Sequence, residues 1–267
     1  MENTSAASTQ LSSPLLRESS RHTLGQSILL HLLPGVPLVV GYFIFAAVLA
    51  RFGLPNILAL MLTTILVEVP VIWWLLIRLG RRESDGSVDW RALFPWRRSV
   101  PVWQILLVGL PLIVFSMLMI AGVGPAVEDV IRPTLFGWVP DWFVLRPDPA
   151  MFATMSRELA LATWVLTLFG LALLGGVTQE LYFRGFLLPR MNHHGSWAPA
   201  LNALLFAVFH LTSPWSWPAF FVMVLPWAYV VRWKESVQLG LFIHVGMLLL
   251  QWLGMTLLLF GLVELPA

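Results

Sequence analysis

Glu180 and Arg184 stand four residues apart, and two histidines, His210 and His244, follow in runs that carry no other charge. On a helix that spacing puts the carboxylate and the guanidinium on one face, one turn apart, where pairing lowers the cost of burying either. Imidazoles and a carboxylate that meet inside a protein can move protons and activate a water, which is the equipment of hydrolysis. Cysteine is absent, so a thiolate nucleophile, a disulfide and a thiolate metal site are excluded. Further polar groups lie in apolar surroundings: Glu68, His31, and the amides Gln179, Asn202 and Gln251. His31 falls in the first turn of its apolar run and reads as interfacial. His193 and His194, beside Asn192 and Gly195, read as solvated loop residues.

The elements that must position these groups follow from where charge is missing. Of 267 residues 58% are hydrophobic, with sixteen basic and fourteen acidic side chains. Charge-free stretches cover 22–50, 52–67, 99–127, 159–179, 191–231 and 236–263, most of them long enough to cross a hydrocarbon layer of about 30 Å. A soluble core breaks its apolar runs sooner, and an outer-membrane barrel alternates instead. The fold class is therefore all-α, a polytopic transmembrane bundle of seven to eight spans. Spans are expected at 28–50, 55–77, 103–124, 159–188, two within 191–231 broken by Pro214 and Pro218, and 237–262.

The chain divides into a Ser-, Thr- and Gln-rich mobile tail over 1–26, N-terminal spans over 27–124, and a second helical unit over 159–263 that holds the candidate chemistry. The basic loop Arg78–Arg98 sets the N-terminus inside, in the cytoplasm, and 125–158, richer in acids and carrying Trp138, Trp142 and Phe143, lies opposite. Basic residues flanking apolar spans suit orientation and anionic lipid, and nucleic-acid binding is not expected. At about 1.5 Å rise per residue, Glu180 lies roughly 12 Å below its span end, His210 roughly 18 Å into its own, and His244 roughly 10–15 Å past Lys234. Similar depth on three helices suggests one cavity. Of the charges, Glu68, Glu180, Arg184 and one buried flanking Arg are left after tails, loops and span ends are set aside.

The run Gln179-Glu180-Leu181-Tyr182-Phe183-Arg184-Gly185 resembles the first motif, Glu-Glu-x-x-x-Arg, of the CAAX-protease and bacteriocin-processing family of intramembrane proteases. Phe206-Ala207-Val208-Phe209-His210 is similar to the second, Phe-x-x-x-His, and His244 to the histidine of the third, His-x-x-x-Asn. The resemblance spans about 159–255. It implies peptide hydrolysis in the membrane, the bacterial cytoplasmic membrane in the family's pattern, on a membrane-anchored protein or peptide. A carboxylate and His210 would activate water, His244 with an amide would hold the oxyanion, and Arg184 with Glu180 would keep the helices in register.

Two positions depart from that pattern. Gln179 stands where the family carries the Glu usually assigned to water activation, and an amide has no useful basicity. Leu248 stands where the third motif has Asn. Three substitutes are available: Glu180 itself, Glu68 from the second span, or Gln251 as the missing amide. The blander expectation for Glu68 is a partner for Arg184, and for Gln251 a bond to another helix. His210, His244 and Glu180 also make a candidate zinc set, although ligands on separate helices lack the close spacing of a strong zinc motif; a cofactor-free site is the other reading. The expected function is an intramembrane endopeptidase, and the alternative is a proteolytically inactive relative that works as a membrane scaffold or immunity protein.

Overall fold

The structure is a computed structural model that describes residues 21–84, 86–145 and 155–259. Residues 1–20 of the expected tail, and the end of the last expected span beyond 259, lie outside these. Among the described residues seven helices of twelve or more residues make up the bundle. Helix α1, Leu24–Ala50, starts at a capping box in which Thr23 Oγ1 accepts from Gln26 N and Gln26 Oε1 accepts from Thr23 N, and it bends at Pro34. Helix α2 is Asn56–Glu83 and α3 is Val102–Leu135. Helix α4 runs over 157–191, α5 is Ala198–Phe209, α6 is Trp217–Lys234 and α7 is Val237–Leu259. Among the described residues there is no strand, only an isolated bridge between Arg97 and Ser236.

Among the described residues six helical stretches are long and apolar enough to cross a membrane, one of them the 53 residues of Arg157–Phe209 that hold both α4 and α5, where seven or eight spans are expected. The difference lies in 191–231. Helices α4 and α5 join through Gly195, whose φ of 83° breaks the helix, and α5 has only 12 residues, about 18 Å of rise against a layer of about 30 Å. It packs along α6 as the short arm of a hairpin. A second difference concerns 125–135, expected as loop: α3 continues through its acids to Leu135. Trp142 and Phe143 then fold back on α1, where the Tyr42 hydroxyl donates to Phe143 O at 2.8 Å.

Helix α4 is the centre of the bundle. From Tyr182 to Met191 every residue is buried, the pattern of a helix surrounded on all sides. Any polar side chain on it must therefore find its partner on another helix. Two neighbours approach closely because α4 carries small residues toward them. On one side Gly170 and Gly175 receive α2: a Cβ on Gly175 would stand 2.8 Å from Thr64 Cγ2, and one on Gly170 would stand 2.8 Å from Ile65 Cδ1. On the other side Gly176 meets Leu248 of α7, with a Cβ there 2.7 Å from Leu248 Cδ1. Small residues that let backbones approach are the usual means of tight helix association in lipid. Helices α2, α3 and α4 also contain π-helical turns, at Thr64–Glu68, Met119–Val123, Thr167–Gly175 and Leu181–Leu187. Such turns gather at functional sites.

Candidate active site

One face of α4 reads Gly176, Glu180, Arg184 at turn spacing, and one face of α7 reads Gly240, His244, Leu248. The two faces pack antiparallel, Gly176 against Leu248 and Glu180 against Gly240 and His244. Glu180 is wholly buried, and its Oε2 accepts from His244 Nδ1 at 3.2 Å and lies 3.4 Å from Arg184 Nη1. A Cβ on Gly240 would collide with Glu180 Oε1, so only glycine leaves the carboxylate its place. Arg184 is also wholly buried and lies 4.0 Å over the Phe206 ring, a cation–π contact that substitutes for part of its lost hydration.

Phe206 joins the three motifs. Its ring centroid lies 4.8 Å from that of His210 and 6.0 Å from that of His244. His210 ends α5, where Phe209 and Phe220 enclose its ring at 5.1 and 4.9 Å. Its Nδ1 donates to Phe206 O at 2.9 Å, and because a carbonyl only accepts, Nε2 is left as the unprotonated nitrogen of the neutral ring. Trp217 Nε1 holds the His210 carbonyl at 3.1 Å. His244 is oriented by Glu180, which its Nδ1 faces at 3.2 Å.

Gln179, at the next helical position and about 100° round from Glu180, reaches α2. Its Nε2 donates to Glu68 Oε1 at 2.6 Å. This corrects the expectation that Glu68 pairs with Arg184: the guanidinium has Glu180, and Glu68 has the amide. Trp73 Nε1, donating to Thr178 Oγ1 at 3.1 Å, pins the same pair of helices.

Other expectations also change. His31 is not interfacial. It is fully buried, with Nδ1 donating to Ser27 O at 2.7 Å and Nε2 accepting from Asn202 Nδ2 at 2.9 Å, and Asn202 also donates to Phe183 O. Gln251 is half-buried and makes no hydrogen bond with another helix. His194 is half-buried and meets His22 O at 3.2 Å, while His193 is exposed. The candidate metal set is not assembled: Glu180 and His244 meet, and among the described residues no three His, Asp or Glu side chains are grouped to hold an ion. The buried flanking arginine is Arg190, which donates from Nε and Nη2 to Glu83 at 2.9 and 2.5 Å and from Nη1 to Leu93 O and Phe186 O.

A family model described as Type II CAAX prenyl endopeptidase Rce1-like matches residues 161–250. That stretch contains Gln179, Glu180, Arg184, His210, His244 and Leu248 and excludes Glu68. No curated protein and no solved structure matches the chain.

Proposed function

We propose that this multi-pass membrane protein, whose residues 161–250 are similar to the type II CAAX prenyl endopeptidase Rce1-like family, is an intramembrane endopeptidase acting on membrane-associated proteins or peptides. The observation that carries this reading is the shared Glu180 Oε2, 3.2 Å from His244 and 3.4 Å from Arg184, in a fully buried setting. It fixes His244 with Nε2 turned to the remaining space, as the Phe206 carbonyl fixes His210. In this reading His210 Nε2 accepts a hydrogen bond from the attacking water, and His244 acts as an imidazolium, with Nδ1–H on Glu180 and Nε2–H donating to the oxygen that becomes negative in the tetrahedral intermediate. Glu180 holds His244 through Nδ1 and faces its positive ring, and Arg184 keeps the Glu180 carboxylate in place. Glu180 itself is committed to these two partners and does not serve as the base.

A second reading, an inactive relative that binds membrane proteins, draws support from Leu248. It presents an apolar side chain to Gly176 where the family's amide would donate. Reconstituted protein and a membrane-anchored reporter peptide separate the two. Cleavage by the wild type that falls at least about a hundredfold in His210→Ala and in His244→Ala, with helicity unchanged, is the expected result. Cleavage that survives both substitutions together overturns the site, and a wild type without turnover under these conditions favours the inactive relative.

A further inference from the structure

We propose that Glu68 is the carboxylate that takes the proton from the attacking water, and that Gln179 is its positioning residue; the proposal rests on the endopeptidase reading above. The structure contains two buried carboxylates among its described residues, Glu68 and Glu180. Glu180 is held by a cation and an imidazole. Among the described residues Glu68 has no cationic partner; it meets the neutral amide of Gln179, at 2.6 Å, on the residue next to Glu180, and the Thr64 hydroxyl of its own helix. An amide N–H bonded to Oε1 fixes the rotamer of the carboxylate without neutralising it, and leaves Oε2 to receive a proton.

The backbone makes this placement obligatory. Thr64 lies against Gly175, and one turn further along each helix Glu68 lies against Gln179, so the two helices run side by side in one direction and in register. Trp73 on Thr178 closes the same interface. A carboxylate from α2 thus stands beside the α4 position where the motif has a carboxylate of its own.

In the reaction, Glu68 Oε2 removes one proton as the water oxygen bonds to the scissile carbonyl carbon, whose π electrons pass to the oxygen that His244 faces. When the intermediate collapses the C–N bond breaks, Glu68 returns its proton to the leaving amine, and the new carboxylic acid keeps the water oxygen. Atoms and protons balance with water as the one co-reactant.

The test exchanges the two side chains in the full-length protein reconstituted in vesicles with a membrane-anchored reporter peptide. Glu68→Gln lowers kcat about 10²–10⁴-fold with KM and thermal unfolding little changed. The double variant Glu68→Gln with Gln179→Glu, which trades amide and carboxylate across the same contact, recovers activity to within about tenfold, a rescue that a merely structural pair does not give. A Glu68→Gln protein that cleaves within threefold of wild type overturns the proposal while leaving the endopeptidase reading intact. A folded double variant that remains inactive also overturns it. Wild type that does not cleave overturns both.

Discussion

Arg184 has no contact with water, and its three guanidinium nitrogens make no hydrogen bond among the described residues. What holds it is Glu180 at 3.4 Å and the face of Phe206 at 4.0 Å. Replacing one partner of such a pair strands the other charge, which costs more than the pair itself contributes. Arg184→Leu is therefore expected to destabilise the protein by about 3–5 kcal/mol, measured by unfolding in detergent, and Arg184→Leu with Glu180→Leu is expected to recover part of the loss. A double variant no more stable than Arg184→Leu would show that Glu180 does not depend on this partner. This pair was legible in the sequence because four residues along a helix is a local distance. The contacts of Glu68 with Gln179 and of His31 with Asn202 were not, since separations of 111 and 171 residues leave no periodic trace. Apolar periodicity around His31 says that it is on a helix, not that an amide from α5 waits to fill its second nitrogen.

Helix faces explain why the glycines of α4 and α7 are not equivalent. A methyl group on Gly176 meets the far end of Leu248, a side chain with room to turn, whereas one on Gly240 meets the Glu180 carboxylate, which Arg184 and His244 hold. Gly240→Ala is expected to lower cleavage at least about tenfold by pushing Glu180 off His244, whereas Gly176→Ala stays within about threefold of wild type; both are expected to keep their helicity. Comparable activity in the two variants would mean that the carboxylate is not fixed by this crossing. The composition announces long helices, and the expected spans at 55–77 and 237–262 start within a residue of α2 and α7. Helix α5 is also expected, between 191 and the break at Pro214 and Pro218, but as a full span where it has only 12 residues.

At the scale of the molecule, one end of the bundle is closed by contacts between distant segments. Arg190 and Glu83 join α4 to α2, Val237 N donates to Trp96 O, and His22 N donates to Arg190 O at 3.1 Å. Burial first, and then the nearby Arg190 and His193, push His22 from 6.5 down to about 4. The folded state thus favours the neutral ring. Its contribution is present above pH 6.5 and is lost as pH falls from 6.5 toward 4, because the unfolded chain takes up the proton first. Unfolding measured at pH 7.5 and at pH 4.5 is expected to differ by a His22-dependent share on the order of 2–3 kcal/mol, and that share should disappear in His22→Phe. An identical pH response in the variant would exclude His22 as its source. Legibility at this scale was limited to the presence of one buried flanking arginine; which one depends on Glu83 and the Leu93 carbonyl reaching it from another part of the chain.

The contact between α2 and α4 also sets an order of events during synthesis. Glu68 leaves the ribosome 111 residues ahead of Gln179, so the second span enters the bilayer with a carboxylate whose partner has not yet been made. Until α4 arrives beside it, the nascent chain must keep that group neutral or near water. The first three helices are therefore an unfinished assembly with a polar defect, and it is the arrival of Gly175 and Gln179 that seals it.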